Sequence, residues 1–114
     1  MEDLRRTIKR YLIRLTIDPT HVGFRQLLEC VYVKVTLKLN IMNKIYAVVA
    51  KDYGIKPKSV MRDVDYALRQ VPDLAERLSE IMGFYIDKSS LHNGRVVFYL
   101  ADIVSEPSLF DFSA

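Results

Sequence analysis

The stretch "AKDYGIKPKSVMRDVDYALRQ", residues 50–70, decides how the chain is read. Apolar positions Ile45, Val48, Val49 and Ala50 lead into Tyr53, and Gly54 then offers a left-handed helix stop. Pro57 fits the first turn of a new helix, where a missing N–H does no harm. Along that helix Val60, Val64, Ala67, Leu68 and Val71 form one apolar stripe, so the opposite side carries Lys58, Ser59, Arg62, Asp65 and Arg69. A helix-turn-helix needs a small residue where its helices touch, a glycine at the turn and a branched apolar residue early in the second helix. Ala50, Gly54 and Val60 meet those needs at spacings of four and six, with Ile55 and Val64 expected to supply the shared core. Lys56, Lys58, Ser59, Arg62 and Arg69 are suited to donate to phosphates or base edges. The same spacing also occurs in helical hairpins that bind no DNA. Two carboxylates, Asp63 and Asp65, stand on the same helix and oppose a phosphate-facing role; Asp63 is expected to pair with Arg62 or Lys56.

Outward from this pair the pattern stays helical. Leu4, Ile8, Tyr11, Leu12 and Leu15 recur at spacings of three and four, predicting a helix over 3–15 whose other faces carry Arg5, Arg6, Lys9, Arg10 and Arg14. "IDPTHVGF" reads as the start of a second helix over 20–38, with Asp18 or Thr20 accepting from open amides and Pro19 in the first turn. The run "CVYVKVTLKL" alternates like a strand, yet helix through about residue 36 is favoured. Pro72 and Asp73 mark a break before "PDLAERLSEIMG", a short helix ended by Gly83. "FYIDKSSLHNG" reads as a loop with extended character, and "GRVVFYLADIV" as a final buried helix. The expected fold is all-α, a compact bundle of about six helices in one domain over 1–104, with the helix-turn-helix at about 43–70. A tail, 105–114, offers Leu109, Phe110 and Phe112 for docking on a partner or on the domain itself.

Composition limits the function classes. At 114 residues and 50% hydrophobic, the chain can bury one core and not comfortably two. Residues 1–70 carry +7 and residues 71–114 carry −4, so a basic surface favouring a polyanion is expected on the side built by the first four helices. Lys34, Lys38 and Lys44 interrupt the most apolar stretch, and "MEDLRRTIKRYLIRL" has no continuous apolar centre, so neither a membrane span nor a signal peptide is expected and the protein is placed in the cytosol. Cys30 stands alone and reads as a small core residue. His21 and His92 lie apart from any Cys, Asp and Glu cluster at metal-ligand spacing and read as structural. Asp63 and Asp65, two apart on a helix, diverge and make a poor acid–base pair. The four glycines form no phosphate-cradling loop. No enzyme, cofactor or metal site is therefore expected.

The chain also resembles a known family, the C-terminal DNA-binding effector domain of the sporulation master response regulators. The likeness runs through "LTIDPTHVGFRQLLECV", "AVVAKDYGIKPKSVMRDVDYAL", "IMGFYIDKSSLHNG" and "FYLADIV", in matching order and lengths. It implies a six-helix DNA-binding domain in which residues 44–53 support and residues 57–70 enter the major groove. Arg62 falls where the family has a guanine-contacting arginine. Ser59 stands where arginine is usual, Met61 where an acidic base-contacting residue is usual, and Asp65 where a further DNA-contacting arginine is expected. The DNA-contacting set is thus Lys56, Lys58, Ser59, Met61, Arg62, Asp65, Tyr66 and Arg69. The receiver domain that normally precedes the effector is not in this sequence. Binding to double-stranded DNA half-sites as a homodimer is the expected mode. In the family, the segment matching 72–83 lies near the surface that meets the RNA polymerase sigma subunit, which implies such contacts for Asp73, Glu76, Arg77 and Glu80. The competing expectations are a protein-interaction module that kept the fold and pairs with polymerase or a related regulator, and a plain helical bundle alike only in its core.

Overall fold

Six helices and one short 3-10 turn carry the chain in the computed structural model, which describes residues 2–107 and 110. The helices are α1 (Glu2–Arg14), α2 (Val22–Leu37), α3 (Met42–Tyr53), α4 (Pro57–Arg69), α5 (Leu74–Met82) and α6 (Asn93–Ser105). Among the described residues there is no strand. The all-helical bundle expected from the periodicity is the one observed.

The strand-like run around Cys30 is helical because α2 is central and packs on α1, α3, α4 and α6. Its apolar residues therefore need not keep to one stripe: Leu27, Cys30 and Val31 are all fully buried, while Tyr32 and Val35 are partly so. Into the same core point Ile8 and Leu12 of α1, Leu15 just after it, Ile45 and Val49 of α3, Val60 and Val64 of α4, and Val97 and Leu100 of α6. Burial pushes the Cys30 thiol from about 9.0 up to about 12, aided by the Glu29 charge. Since a thiolate forms more readily in the unfolded chain, the contribution of the neutral Cys30 thiol to stability is fully present below pH 9 and is lost progressively as pH rises from about 9 to 12. Thiol labelling of the native protein at pH 8 is expected to be slow and to be released by denaturant; labelling as fast as that of the denatured chain would contradict the burial of Cys30.

Two local expectations fail at the start of α2 and at the turn after α3. Residues 20 and 21 are not helical; α2 begins at Val22, with His21 at the capping position and no side-chain cap. Asp18 Oδ1 instead accepts from the Thr20 amide at 2.9 Å and the Thr20 hydroxyl at 2.8 Å, so its oxygens serve a turn that ends before the helix begins. Pro19 lies in that turn. After α3, Gly54 adopts φ +67°, its N–H donates to Lys51 O, and the Ile55 N–H donates to Ala50 O at 3.0 Å. This double closure is a Schellman motif, and it holds Ile55 at the surface, 38% exposed, rather than in the core. Ala50, Val60 and Val64 are buried as expected.

Further on, Asp73 occupies the position before α5 but caps no amide; Arg77 Nε donates to its carboxylate at 2.9 Å and keeps it below the usual carboxylate range. The loop expected to be extended folds into a 3-10 turn, Lys88–Ser90, because Asp87 accepts from the Ser89 amide and hydroxyl. Of the tail residues singled out, Phe110 packs against the core, while Leu109 and Phe112 lie outside the described residues.

Helices α2 and α4 approach each other at Gly23. A Cβ there would overlap the carbonyl oxygen of Asp63, lie 2.7 Å from its carbonyl carbon and 3.0 Å from Ala67 Cβ. Only glycine fits between the two backbones, and this contact fixes where α4 sits.

Candidate nucleic-acid interface

The outer face of α4 is built from its first turn onward. Lys56 precedes the helix, Pro57 opens it, and no side chain caps its first amides. Lys56, Lys58, Met61, Arg62, Tyr66 and Arg69 are exposed, with Met61 45% and Tyr66 57% accessible, whereas Ser59 and Asp65 are half-buried. Six of the eight residues expected to contact DNA are therefore exposed on this face, and Ser59 and Asp65 are partly covered.

Two grooves flank this face. One, of about 600 Å³, is lined by Lys58, Met61, Arg62 and Asp65 of α4, Met42 and Tyr46 of α3, and His92, Asn93 and Gly94 at the start of α6. The other, of about 350 Å³, lies between α4 and the start of α2, lined by Arg62, Asp63 and Tyr66 and by His21, Val22 and Gly23. Arg62 lines both and so stands between them.

The two carboxylates have separate fates. Asp63 does not pair with Arg62 or Lys56: its Oδ2 accepts from Gln26 Nε2 at 3.1 Å, tying α4 to a buried residue of α2. The close approach at Gly23 turns Asp63 toward α2 and leaves its neighbours' cations outside. Gln26 Oε1 is buried and finds no partner among the described residues, which marks the Gln26–Asp63 contact as one that sets register and is not simply stabilising. Asp65 accepts from Arg69 Nε at 2.8 Å, one turn along α4. The Arg69 charge is thus partly offset locally, although its remaining N–H groups stay available at a largely exposed position.

Residues far away in sequence complete the surface. Asn93 Nδ2 donates to Met61 O at 3.0 Å, so the start of α6 holds the middle of α4. His92 caps α6 by accepting from the Arg95 amide through Nδ1 at 3.4 Å. His21 meets the Tyr66 ring edge-to-face, with centroids 5.3 Å apart. Burial raises the Tyr46 phenol above its ordinary range, partly offset by its hydrogen bond with Asn93, so the groove wall there is a neutral hydroxyl. Apart from the local His92 cap, none of these partners is visible in local periodicity, because their separations along the chain are too large.

Four cations of the first two helices gather away from the grooves beside α4. Arg5, Arg6 and Lys9 join Arg25 at a separate depression between α1 and α2. On α5, Arg77 is engaged with Asp73, while Glu76 and Glu80 are exposed. Among the described residues no group of three His, Cys, Asp or Glu could hold a metal ion, and no helix is long and apolar enough to cross a membrane. Comparison with protein-family models, curated proteins and solved structures gives no match.

Proposed function

We propose that this protein is a sequence-specific DNA-binding transcription regulator in which α3 and α4 act as a helix-turn-helix and α4 enters the major groove. The observation that carries this reading is the row Lys58, Met61 and Arg62, three exposed side chains on adjacent turns of one helix, with Arg62 between two grooves. Arg62 is assigned to guanine, where a guanidinium can donate to O6 and N7 together. Lys58 and Arg69 are assigned to phosphates, and Met61 to an apolar contact such as a thymine methyl. The resemblance to sporulation response-regulator effectors agrees with this assignment and adds two partners to it: a second copy on an adjacent half-site, and the polymerase sigma subunit at the exposed acids of α5.

Fluorescence titration against random duplexes in rising salt tests the reading. Salt-sensitive binding is expected, with non-specific Kd values on the order of 10⁻⁶ to 10⁻⁴ M near physiological salt. Lys58→Ala is expected to make the slope of log K against log salt less steep by about 0.9, the value of one lost phosphate contact. Absence of salt-sensitive binding at low salt would remove the assignment.

A second reading, a protein-interaction module of the same fold, is favoured by the Asp65–Arg69 pair, which lowers the net positive charge of α4. It calls for no duplex binding and for capture of an acidic or regulatory protein partner through α4 or α5.

A further inference from the structure

The cations that do not surround α4 have a site of their own. A depression of about 350 Å³ between α1 and the start of α2 is rimmed by Arg5, Arg6, Lys9 and Arg25. Its single carboxylate, Glu29, is already held by Arg5 through two hydrogen bonds of 2.9 and 3.0 Å. Arg6, Lys9 and Arg25 form no ion pair with any described side chain, so the rim keeps an excess of three positive charges.

Its place relative to α4 follows from α2. Val22 lines the groove beside α4, and Arg25, one turn further along, lines this one. Residues three apart on a helix stand about 5–6 Å apart at Cβ, so the two grooves share one ridge. A helix of diameter ~10–12 Å fills a major groove about 12 Å wide, and the helices beside it then meet the groove walls, which are phosphates.

We propose that the α1–α2 groove grips the phosphate backbone of the same duplex whose major groove receives α4, outside the base pairs that α4 reads. This rests on the DNA-binding reading above. Guanidinium and ammonium groups held on two helices suit a backbone of regularly spaced anions. An acidic amphipathic peptide fits less well: it needs apolar surface to bury, and the floor residues Phe24 and Leu28 are only 5% and 7% exposed. The groove therefore offers charge without an apolar anchor. It also gives a role to cations of the first half of the chain that lie outside α4.

Two variants and one mapping experiment test it. The triple variant R6A/K9A/R25A and the double variant K58A/R62A are titrated with a 20-base-pair duplex by fluorescence anisotropy between 50 and 200 mM salt, after circular dichroism has shown the wild-type helical content. The triple variant is expected to bind with a salt slope less steep by about two to three units, at about 0.9 per phosphate, and with unchanged base preference. In wild-type protein the backbone amides of Lys9 and Arg25 are expected to shift with duplex together with those of α4, a readout that needs no variant. A slope equal to wild type in the triple variant, with loss only in K58A/R62A, overturns this groove and leaves DNA reading by α4 in place. Absence of duplex binding by the wild type overturns both. Shifts at Lys9 and Arg25 with a glutamate-rich helical peptide and not with duplex overturn the proposal in favour of an acidic protein partner.

Discussion

Gly23→Ala is expected to cost the domain about 2–4 kcal/mol and to lower its melting temperature by on the order of 10 °C. The added methyl would overlap the Asp63 carbonyl and crowd Ala67 Cβ, and neither neighbour is the loose end of a side chain. Relief requires α2 and α4 to move apart, which strips contacts from Val60, Val64 and Ala67 along their shared seam. Ordinary helix propensity works the other way, since alanine is favoured over glycine by about 1 kcal/mol in a helix interior. The sign of the effect is therefore diagnostic. Gly94→Ala supplies the control: there the nearest atom is Met42 Cγ at 3.1 Å, on a flexible side chain that can give way. Thermal denaturation followed by circular dichroism should separate the two, with Gly94→Ala near wild type. A Gly23→Ala protein as stable as wild type would show that the two helices do not meet so closely.

That contact also marks where sequence reading stops. Positions 45–71 specify their helices through local chemistry: an apolar stripe at helical spacing, a glycine at φ +67° and a proline at the first helical position. The same locality explains why α1, α5 and α6 fall close to their expected bounds. What the stripe does not encode is the partner across it. Gln26 and Asp63 are 37 residues apart and Asn93 and Met61 are 32 apart, so neither pair leaves a periodic trace. Gly23 looks like any glycine near a helix start until α4 is laid against it. The helix-turn-helix pattern predicts a core position for Ile55, but the backbone closure at Gly54 decides its direction first. On the candidate surface, the cations of α4 were legible because they oppose the stripe; the pairing of Asp65 with Arg69 follows the i, i+4 rule, while the inward turn of Asp63 depends on the helix crossing.

Arg62→Ala is expected to weaken binding to a preferred duplex by about 1–3 kcal/mol, or roughly 5- to 150-fold, and to relax preference at one base pair. The size follows from what a guanidinium does at guanine, two parallel hydrogen bonds that no other base reproduces, and from the position of Arg62 between two grooves with no carboxylate bound to it. Asp65 provides the opposing test on the same helix. Removing its carboxylate in Asp65→Ala releases the Arg69 guanidinium from its 2.8 Å pair and takes one negative charge from the face that meets phosphate. Non-specific affinity should therefore rise, with a salt slope steeper by up to about one unit, while base preference at the Arg62 position stays as it was. The two variants move in opposite directions for one physical reason: α4 carries both a reader and a charge that restrains it. Equal base preference in wild type and Arg62→Ala, measured over a randomised duplex library, would take the reading role from Arg62. A salt slope in Asp65→Ala no steeper than wild type would show that Arg69 does not face the duplex, and that the Asp65–Arg69 pair serves only to hold the end of the helix.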